Sequence, residues 1–239
     1  MNIENPSARF GVIACIMLSG LISAADAAAA PAAGDSWSYR VVNRYNGEVR
    51  GNIQYRVDKV DADRVAVAVT SDLPALGLPS TEIYTADGRW IRHALINHDQ
   101  PVVYDFQQPY PAYDFPLADG KTWSLRVNAV NPANGRSARV RVDGNVLGSE
   151  RVTVPAGAFD TFKIRRRIYA GDFDGPRSQT NITETEWYAP ALGRAVRLER
   201  NSEFMDQNRC SDEMSSCTPV RGDWFLFELV DSGAKSRQP

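Results

Sequence analysis

The 239-residue chain has few of the residue types that metal sites and nucleophilic centres use. It contains two histidines and three cysteines, too few for most zinc sites or histidine-based catalytic sets. Its 27 basic and 29 acidic side chains give a formal net charge of −2, so we expect no general attraction to nucleic acid. The single short apolar run, at 11–22, excludes a protein with several membrane-spanning helices. We therefore predict no cofactor, no metal and no nucleic-acid partner.

The N-terminal residues have the composition of an export signal. Arg9 precedes the apolar run 11–22, and a series of small residues follows it. This order is typical of a secretory signal peptide, and Ala25-Asp26-Ala27 has the small residues that precede cleavage. We expect cleavage after Ala27, with Ala25 as the alternative. The mature protein would then begin with a flexible linker at 28–34 and work in the periplasm or outside the cell.

Two other interpretations of this region are less favoured. An uncleaved anchor would need a longer apolar stretch to cross a bilayer of ~30 Å. Cys15, in Val-Ile-Ala-Cys, resembles a lipoprotein acceptor locally. Most of the apolar run follows this cysteine instead of preceding it, so lipidation is the minority interpretation.

The rest of the chain alternates apolar and polar residues with a period of two. The alternation is clearest in five segments, 37–41, 49–58, 65–69, 122–129 and 138–143. It predicts antiparallel strands with one buried and one wet face, and the Asn-Gly and Asp-Gly pairs between segments predict hairpin turns. We expect one all-β domain at 35–232 and a polar tail at 233–239. The antiparallel sheet of this domain would be strongly curved or form a partial barrel, with about ten or eleven strands.

The alternation weakens between Leu73 and Pro116. Residues 73–79 predict a proline-rich loop or a short helical turn, and residues 101–116 hold four prolines and five aromatic residues. We favour an ordered loop that folds over an open end of the sheet with its rings in the core. The alternative is a binding platform for sugars or peptides, because proline-stiffened tyrosines lose little entropy on contact. Its candidate binding residues are Tyr104, Tyr110 and Tyr113.

Cys210 and Cys217 lie between two strand-like segments near the C-terminus. In an oxidising compartment they predict a disulfide, which would stabilise the fold by ~2.5 kcal/mol in the chain-entropy model. The alternative, a pair of metal-binding thiols, lacks the two further ligands of a zinc site.

Two other candidate metal sites are weak. His93 and His98 are five residues apart, so they would lie on opposite faces of a strand. Residues 172–175 (Asp-Phe-Asp-Gly) resemble the start of a calcium loop, but the remaining acidic ligands are missing. A tight turn is the favoured interpretation of 172–175.

A charged hairpin is the most informative feature. Arg165 and Arg167 share one face of a predicted strand, while Arg166 lies on the apolar face. One pairing register sets Arg165 against Glu186 and Arg167 against Glu184, which would neutralise exposed charges. Arg166 would be costly if unpaired. We therefore expect it to bind either an interior acid or the anionic group of a ligand.

Three segments carry a resemblance to a known family. They are V-P-A-G-A-F-D-T-F at 154–162, W-Y-A-P-A-L-G-R at 187–194 and F-P-L-A-D-G-K-T-W at 115–123. Over roughly 110–200 the chain resembles exported β-rich proteins of Gram-negative bacteria, catalogued as domains of unknown function. The resemblance implies an antiparallel β fold in the cell envelope and supplies no catalytic residues.

These features favour a non-catalytic envelope protein whose curved sheet binds an apolar or amphiphilic, lipid-like ligand. The first alternative is an envelope scaffold that contacts another envelope protein through 101–116. The second is a hydrolase of envelope polymers that uses Glu184 and Glu186, which would lie ~7 Å apart on one strand face.

Overall fold

The computed structural model describes residues 30–171, 176–210 and 218–233. The predicted signal peptide with its cleavage site, Cys15, the turn at 172–175, Cys217 and most of the predicted polar tail lie outside the described residues. The interpretations of those residues stay predictions.

The described residues form thirteen strands. They are β1 Ser36–Asn43, β2 Val49–Val60, β3 Arg64–Ser71, β4 Thr81–Thr85, β5 Trp90–Asn97, β6 Gln100–Tyr110, β7 Thr122–Val130, β8 Ser137–Val154, β9 Gly157–Ala170, β10 Thr180–Ala189, β11 Arg194–Phe204, β12 Val220–Arg221 and β13 Phe225–Ser232. Short 3-10 turns lie at Pro74–Leu76, Pro190–Leu192 and Gln207–Arg209. The first of these agrees with the helical turn predicted at 73–79.

No helix in the described parts of the chain has both the length and the apolar character of a membrane span.

The sheet closes on itself. Each strand from β1 to β11 pairs in antiparallel fashion with the next one, and β13 lies between β11 and β1. Twelve strands therefore form a closed barrel, and the two-residue β12 is added to β11 outside the ring. The predicted all-β antiparallel class is confirmed, but the predicted strand count was low and the barrel is complete instead of partial.

The additional strands, β4, β5 and β6, lie where the alternation weakens. In β5 the side chains of His93, Ala94 and Leu95 are all buried, so consecutive residues face protein and the period of two is lost. Strand β6 contains prolines, which cannot donate a backbone hydrogen bond. It tolerates them because it pairs with β7 through only two residue pairs.

The segment 101–116 has two parts. Its first part is strand β6, so a loop was the wrong expectation there. After β6 the chain turns inward, and Pro111 and Ala112 are buried. The predicted placement of rings in the core is correct for Tyr104, Phe106 and Tyr110, which are at most 6% exposed.

Two large apolar clusters form the core inside the barrel. The first joins β1, β2, β3, β11 and β13, and its members include Trp37, Val57, Val67, Val196 and Phe227. The second joins β5 to β10, and its members include Trp90, Tyr110, Val142, Ile168 and Ile182. Each buried aliphatic side chain of this kind contributes ~1.5–3 kcal/mol to the free energy of unfolding.

Candidate functional site

A cavity of about 170 Å³ lies inside the barrel. Most of its wall is apolar, and β2, β3 and the turn after β3 contribute an aliphatic part of it, including Ile53, Val57, Val65, Val67, Leu76 and Leu78. The wall also includes Ala86, an exposed residue in the turn between β4 and β5. The cavity therefore reaches the surface at this turn.

Pro31 also lines the cavity, although it lies in the predicted linker. The described part of this segment contacts the barrel, because the Gly34 N–H donates to the Val57 carbonyl oxygen at 2.8 Å. Residues before β1 thus form part of the cavity wall.

Arg166 lines the cavity and is 1% exposed. Its Nε donates to Glu184 Oε2 at 3.0 Å, and its Nη1 donates to the Ala112 carbonyl oxygen at 3.0 Å. Its Nη2 forms an ion pair with Glu186. Of the two partners predicted for Arg166, an interior acid or a ligand, the structure provides the first.

The strand register differs from the one predicted. Arg166 lies opposite Glu184, while Arg165 and Arg167 lie opposite threonines. The expected pairing of Arg165 with Glu186 and of Arg167 with Glu184 was therefore wrong. A shift of one residue moves every side chain to the other face of a strand, and this shift places both glutamates inside the barrel.

A second arginine completes this buried network. Arg200 on β11 donates from Nε to Glu184 Oε1 at 2.8 Å. Burial would raise the pKa of Glu184, but Arg200 and Arg166 lower it to about 2. Glu184 is thus held ionised, which suits an ion pair and not a proton donor. The positive charges of Arg166 and Arg200 balance the negative charges of Glu184 and Glu186.

Arg194, the first residue of β11, also lines the cavity. Its guanidinium carbon lies 4.1 Å from the ring centre of Tyr55 and 4.7 Å from that of Trp37. Its Nε donates to the Tyr39 hydroxyl at 3.2 Å, and this hydroxyl donates to the Ala195 carbonyl oxygen at 2.6 Å. Within the described residues, no carboxylate forms an ion pair with Arg194.

Glu82 supplies a buried negative charge in the cavity wall. Tyr84 donates a hydrogen bond to its Oε2, and His93 Nδ1 lies 2.8 Å from its Oε1. Burial would raise the pKa of Glu82, but His93, Tyr84 and, more weakly, Arg194 lower it. Glu82 is thus engaged mainly by its two nearest neighbours.

His93 stacks on Trp90, with ring centres 3.7 Å apart. Its Nε2 is buried and has no hydrogen-bond partner among the described residues. His98 lies elsewhere, in the turn before β6, where its Nε2 is 3.1 Å from the Ser178 carbonyl oxygen. The structure therefore does not bring the two histidines together.

No group of three or more histidine, cysteine, aspartate or glutamate side chains in the described ranges could hold a metal ion. Cys210 follows the 3-10 turn at Gln207–Arg209, and its pairing with Cys217 stays a prediction.

The three candidate tyrosines are separated by the fold. Tyr104 and Tyr110 are core residues that do not line the cavity. Tyr113 lines the cavity and donates a hydrogen bond to Glu186 Oε1. None of the three is exposed, so they do not form the surface platform considered for 101–116.

Arg194 is the residue that the sequence interpretation missed. The signal was available, because Arg194, Val196, Leu198 and Arg200 alternate along β11 and put an arginine on an apolar face. The same argument had identified Arg166.

The strands that carry these arginines fall within a family match. Residues 118–207 match the DUF3108-like family model. The match covers less than half of the chain, from β7 to β11, and confirms the resemblance to a family of domains of unknown function. It includes Arg166, Glu184, Glu186 and Arg194.

Three solved structures show a partial likeness. A predicted lipoprotein from Parabacteroides distasonis has 16% identity and a TM-score of 0.45, over 84% of this chain and 95% of that chain. A predicted exported protein with a YmcC-like fold from Bacteroides fragilis has 14% identity and a TM-score of 0.47, over 85% and 97%. The hypothetical lipoprotein YmcC from Escherichia coli has 10% identity and a TM-score of 0.40, over 82% and 84%.

No curated protein matches the chain. Neither the family model nor these three structures indicate a catalytic function.

Proposed function

We propose that the barrel binds one apolar or amphiphilic, lipid-like molecule in its interior, without catalysing a reaction, in the cell envelope after export. The observation that carries this proposal is the largely apolar cavity, which opens at the turn between β4 and β5. Enclosed apolar pockets with a few convergent polar groups are the usual form of small-molecule sites. The envelope location is supported by the signal-peptide pattern of residues 1–27.

The volume of the cavity limits the size of the ligand. One water molecule needs ~10–15 Å³ of such space, so the cavity has room for about a dozen waters or for a similar number of non-hydrogen ligand atoms. The aliphatic wall favours replacing water with a hydrocarbon chain, at ~0.8 kcal/mol for each buried CH₂ group. A single medium-length chain therefore fits better than a two-chain lipid.

Binding of 1-decanol and decanoate to the delipidated mature protein tests the proposal. We expect at least one of them to raise the melting temperature and to bind with one-to-one stoichiometry in native mass spectrometry. If neither binds, the proposed function is wrong.

Variants in which a larger side chain fills the cavity test whether the ligand binds there. Val67 lines the cavity, whereas its neighbour Ala66 on β3 does not. We expect Val67→Phe to abolish binding and Ala66→Phe to retain it, with circular dichroism confirming that both fold. Leu78→Trp, at another residue of the cavity wall, provides a second block should Val67→Phe not fold.

A further inference from the structure

We propose that Arg194 binds the carboxylate of a single-chain fatty acid held in the cavity. This inference rests on the proposed function and specifies the chemistry of the ligand's head group. It also assigns a role to Arg194 that sequence interpretation had given to Arg166.

The charges inside the barrel distinguish the two arginines. Arg166 contacts two carboxylates, and Arg200 shares one of them. Arg194 has only a neutral hydroxyl as a hydrogen-bond partner within the described part of the chain. An anionic ligand would therefore gain little at Arg166 and most at Arg194.

The aromatic rings explain how the fold keeps this cation in its interior. Trp37, Tyr39 and Tyr55 surround the guanidinium within 6 Å, a distance at which ring faces attract a cation. Their attraction offsets part of the cost of removing the guanidinium from water. The ring contacts and the Tyr39 hydroxyl also hold the side chain in one position, ready for a planar anion.

The Nη groups are the ones left for a ligand. Nε donates to the Tyr39 hydroxyl, and no hydrogen bond joins the Nη groups to any of the described residues. Arg194 is half-buried and lines the cavity. A carboxylate is planar and accepts paired N–H donors from a guanidinium, which gives short, charge-assisted hydrogen bonds.

The surroundings favour one negative charge and one chain. Glu82 also lines the cavity, and Arg194 contributes to lowering its pKa, so its negative charge would repel a dianionic head group more strongly than a monoanionic one. A phosphodiester would need room for a second substituent, which the ~170 Å³ cavity lacks beside an alkyl chain. A carboxylate meets both conditions.

Matched ten-carbon ligands test the head group. Isothermal titration calorimetry at pH 7.5 compares decanoate, 1-decanol and decyl phosphate on the delipidated mature protein. We expect decanoate to bind at least tenfold more tightly than either of the others. Equal binding of decanoate and 1-decanol, or tighter binding of decyl phosphate, would overturn the carboxylate assignment and leave the proposed function standing. If none of them binds, the proposed function itself fails.

Variants test the residue. Arg194→Met should weaken decanoate at least tenfold and leave 1-decanol within about twofold. Arg197→Met is the matched control, because Arg197 lies on the same strand but pairs with Glu228 and does not line the cavity. Arg194→Lys keeps the charge and should retain part of the preference for decanoate, which covers the case in which Arg194→Met does not fold. An unchanged preference in the folded Arg194 variants would overturn the role of Arg194.

Discussion

Arg166 on β9 and Glu184 on β10 lie directly opposite each other, and their side chains meet inside the barrel, with Nε 3.0 Å from Oε2. Arg166 also holds Glu186 and the Ala112 carbonyl oxygen. It therefore joins two strands to the segment that turns inward after β6. This arrangement assigns Arg166 a structural role, and Arg194 is then the cation that we propose for a ligand.

Replacing Arg166 should destabilise the protein strongly. In Arg166→Met, the buried Glu186 loses its ion pair and Glu184 retains only Arg200, so we expect a loss of ~3–5 kcal/mol in the free energy of unfolding. Urea denaturation measures this loss. The control is Arg165→Met on the outer face of the same strand, which should change the free energy by no more than ~0.5 kcal/mol. Similar losses in both variants would contradict the role of Arg166.

Acid should remove part of the stability through Glu184. Its pKa falls from 4.5 in the unfolded chain to about 2 in the fold, so its contribution is present above pH ~5 and is lost as the pH falls toward 2. The shift corresponds to ~3 kcal/mol. Glu82 and Glu228, whose pKa values are also lowered, add to the same trend.

Denaturation between pH 6 and pH 2.5 tests this linkage. Glu184→Gln should be less stable at pH 6 and should lose less stability on acidification than the unmodified protein. The exposed Glu48→Gln should follow the unmodified protein closely. If the free energy of unfolding of Glu184→Gln depends on pH in the same way as that of the unmodified protein, Glu184 is not the cause of the acid destabilisation.

Gly144 should tolerate no side chain. It lies opposite Trp123 across β7 and β8, and a Cβ at position 144 would be 2.1 Å from the indole ring. We expect Gly144→Ala to cost ~1–3 kcal/mol, because the indole must move out of a packed site. Thermal denaturation measures the effect. In a Trp123→Leu background the same substitution should cost clearly less, and an equal cost would refute the steric cause.

The predicted disulfide between Cys210 and Cys217 gives a separate test. We expect the mature protein to contain no free thiol by mass spectrometry after alkylation. Reduction should then lower its free energy of unfolding by ~2.5 kcal/mol in the chain-entropy model. A Cys210→Ser/Cys217→Ser variant should be unaffected by the reductant. Two alkylated thiols in the unreduced mature protein would exclude the bridge.

Much of the fold could be predicted from alternation alone, as β2 shows. Ile53 and Val57 are buried there, while Gln54 and Arg56 are exposed. Strand β5 escaped prediction because both of its faces pack on protein. Strand β6 escaped because prolines usually oppose strand pairing, and only the short contact with β7 makes them acceptable here.

The site was harder to predict than the fold. Alternation placed Arg166 on the inner face correctly. It did not determine the register of β10 against β9, and a difference of one residue in that register decides whether the Glu184 side chain faces the interior or the solvent. The aromatic rings around Arg194 belong to Trp37, Tyr39 and Tyr55 of β1 and β2, whereas Arg194 itself belongs to β11. No local pattern shows that these segments, far apart in the chain, become neighbours.

The pairing of β13 with β1 sets a condition on assembly. Trp37 and Ser232 are partners across this seam, so the ring can be completed only after the chain from β1 through β13 has left the ribosome and, in an exported protein, the translocation channel. Contacts between such distant parts of a chain form slowly. Until they form, β1 and β11 present unpaired edges that can recruit other chains. A truncation before Phe225 would make this exposure permanent and should yield aggregates instead of a smaller folded protein.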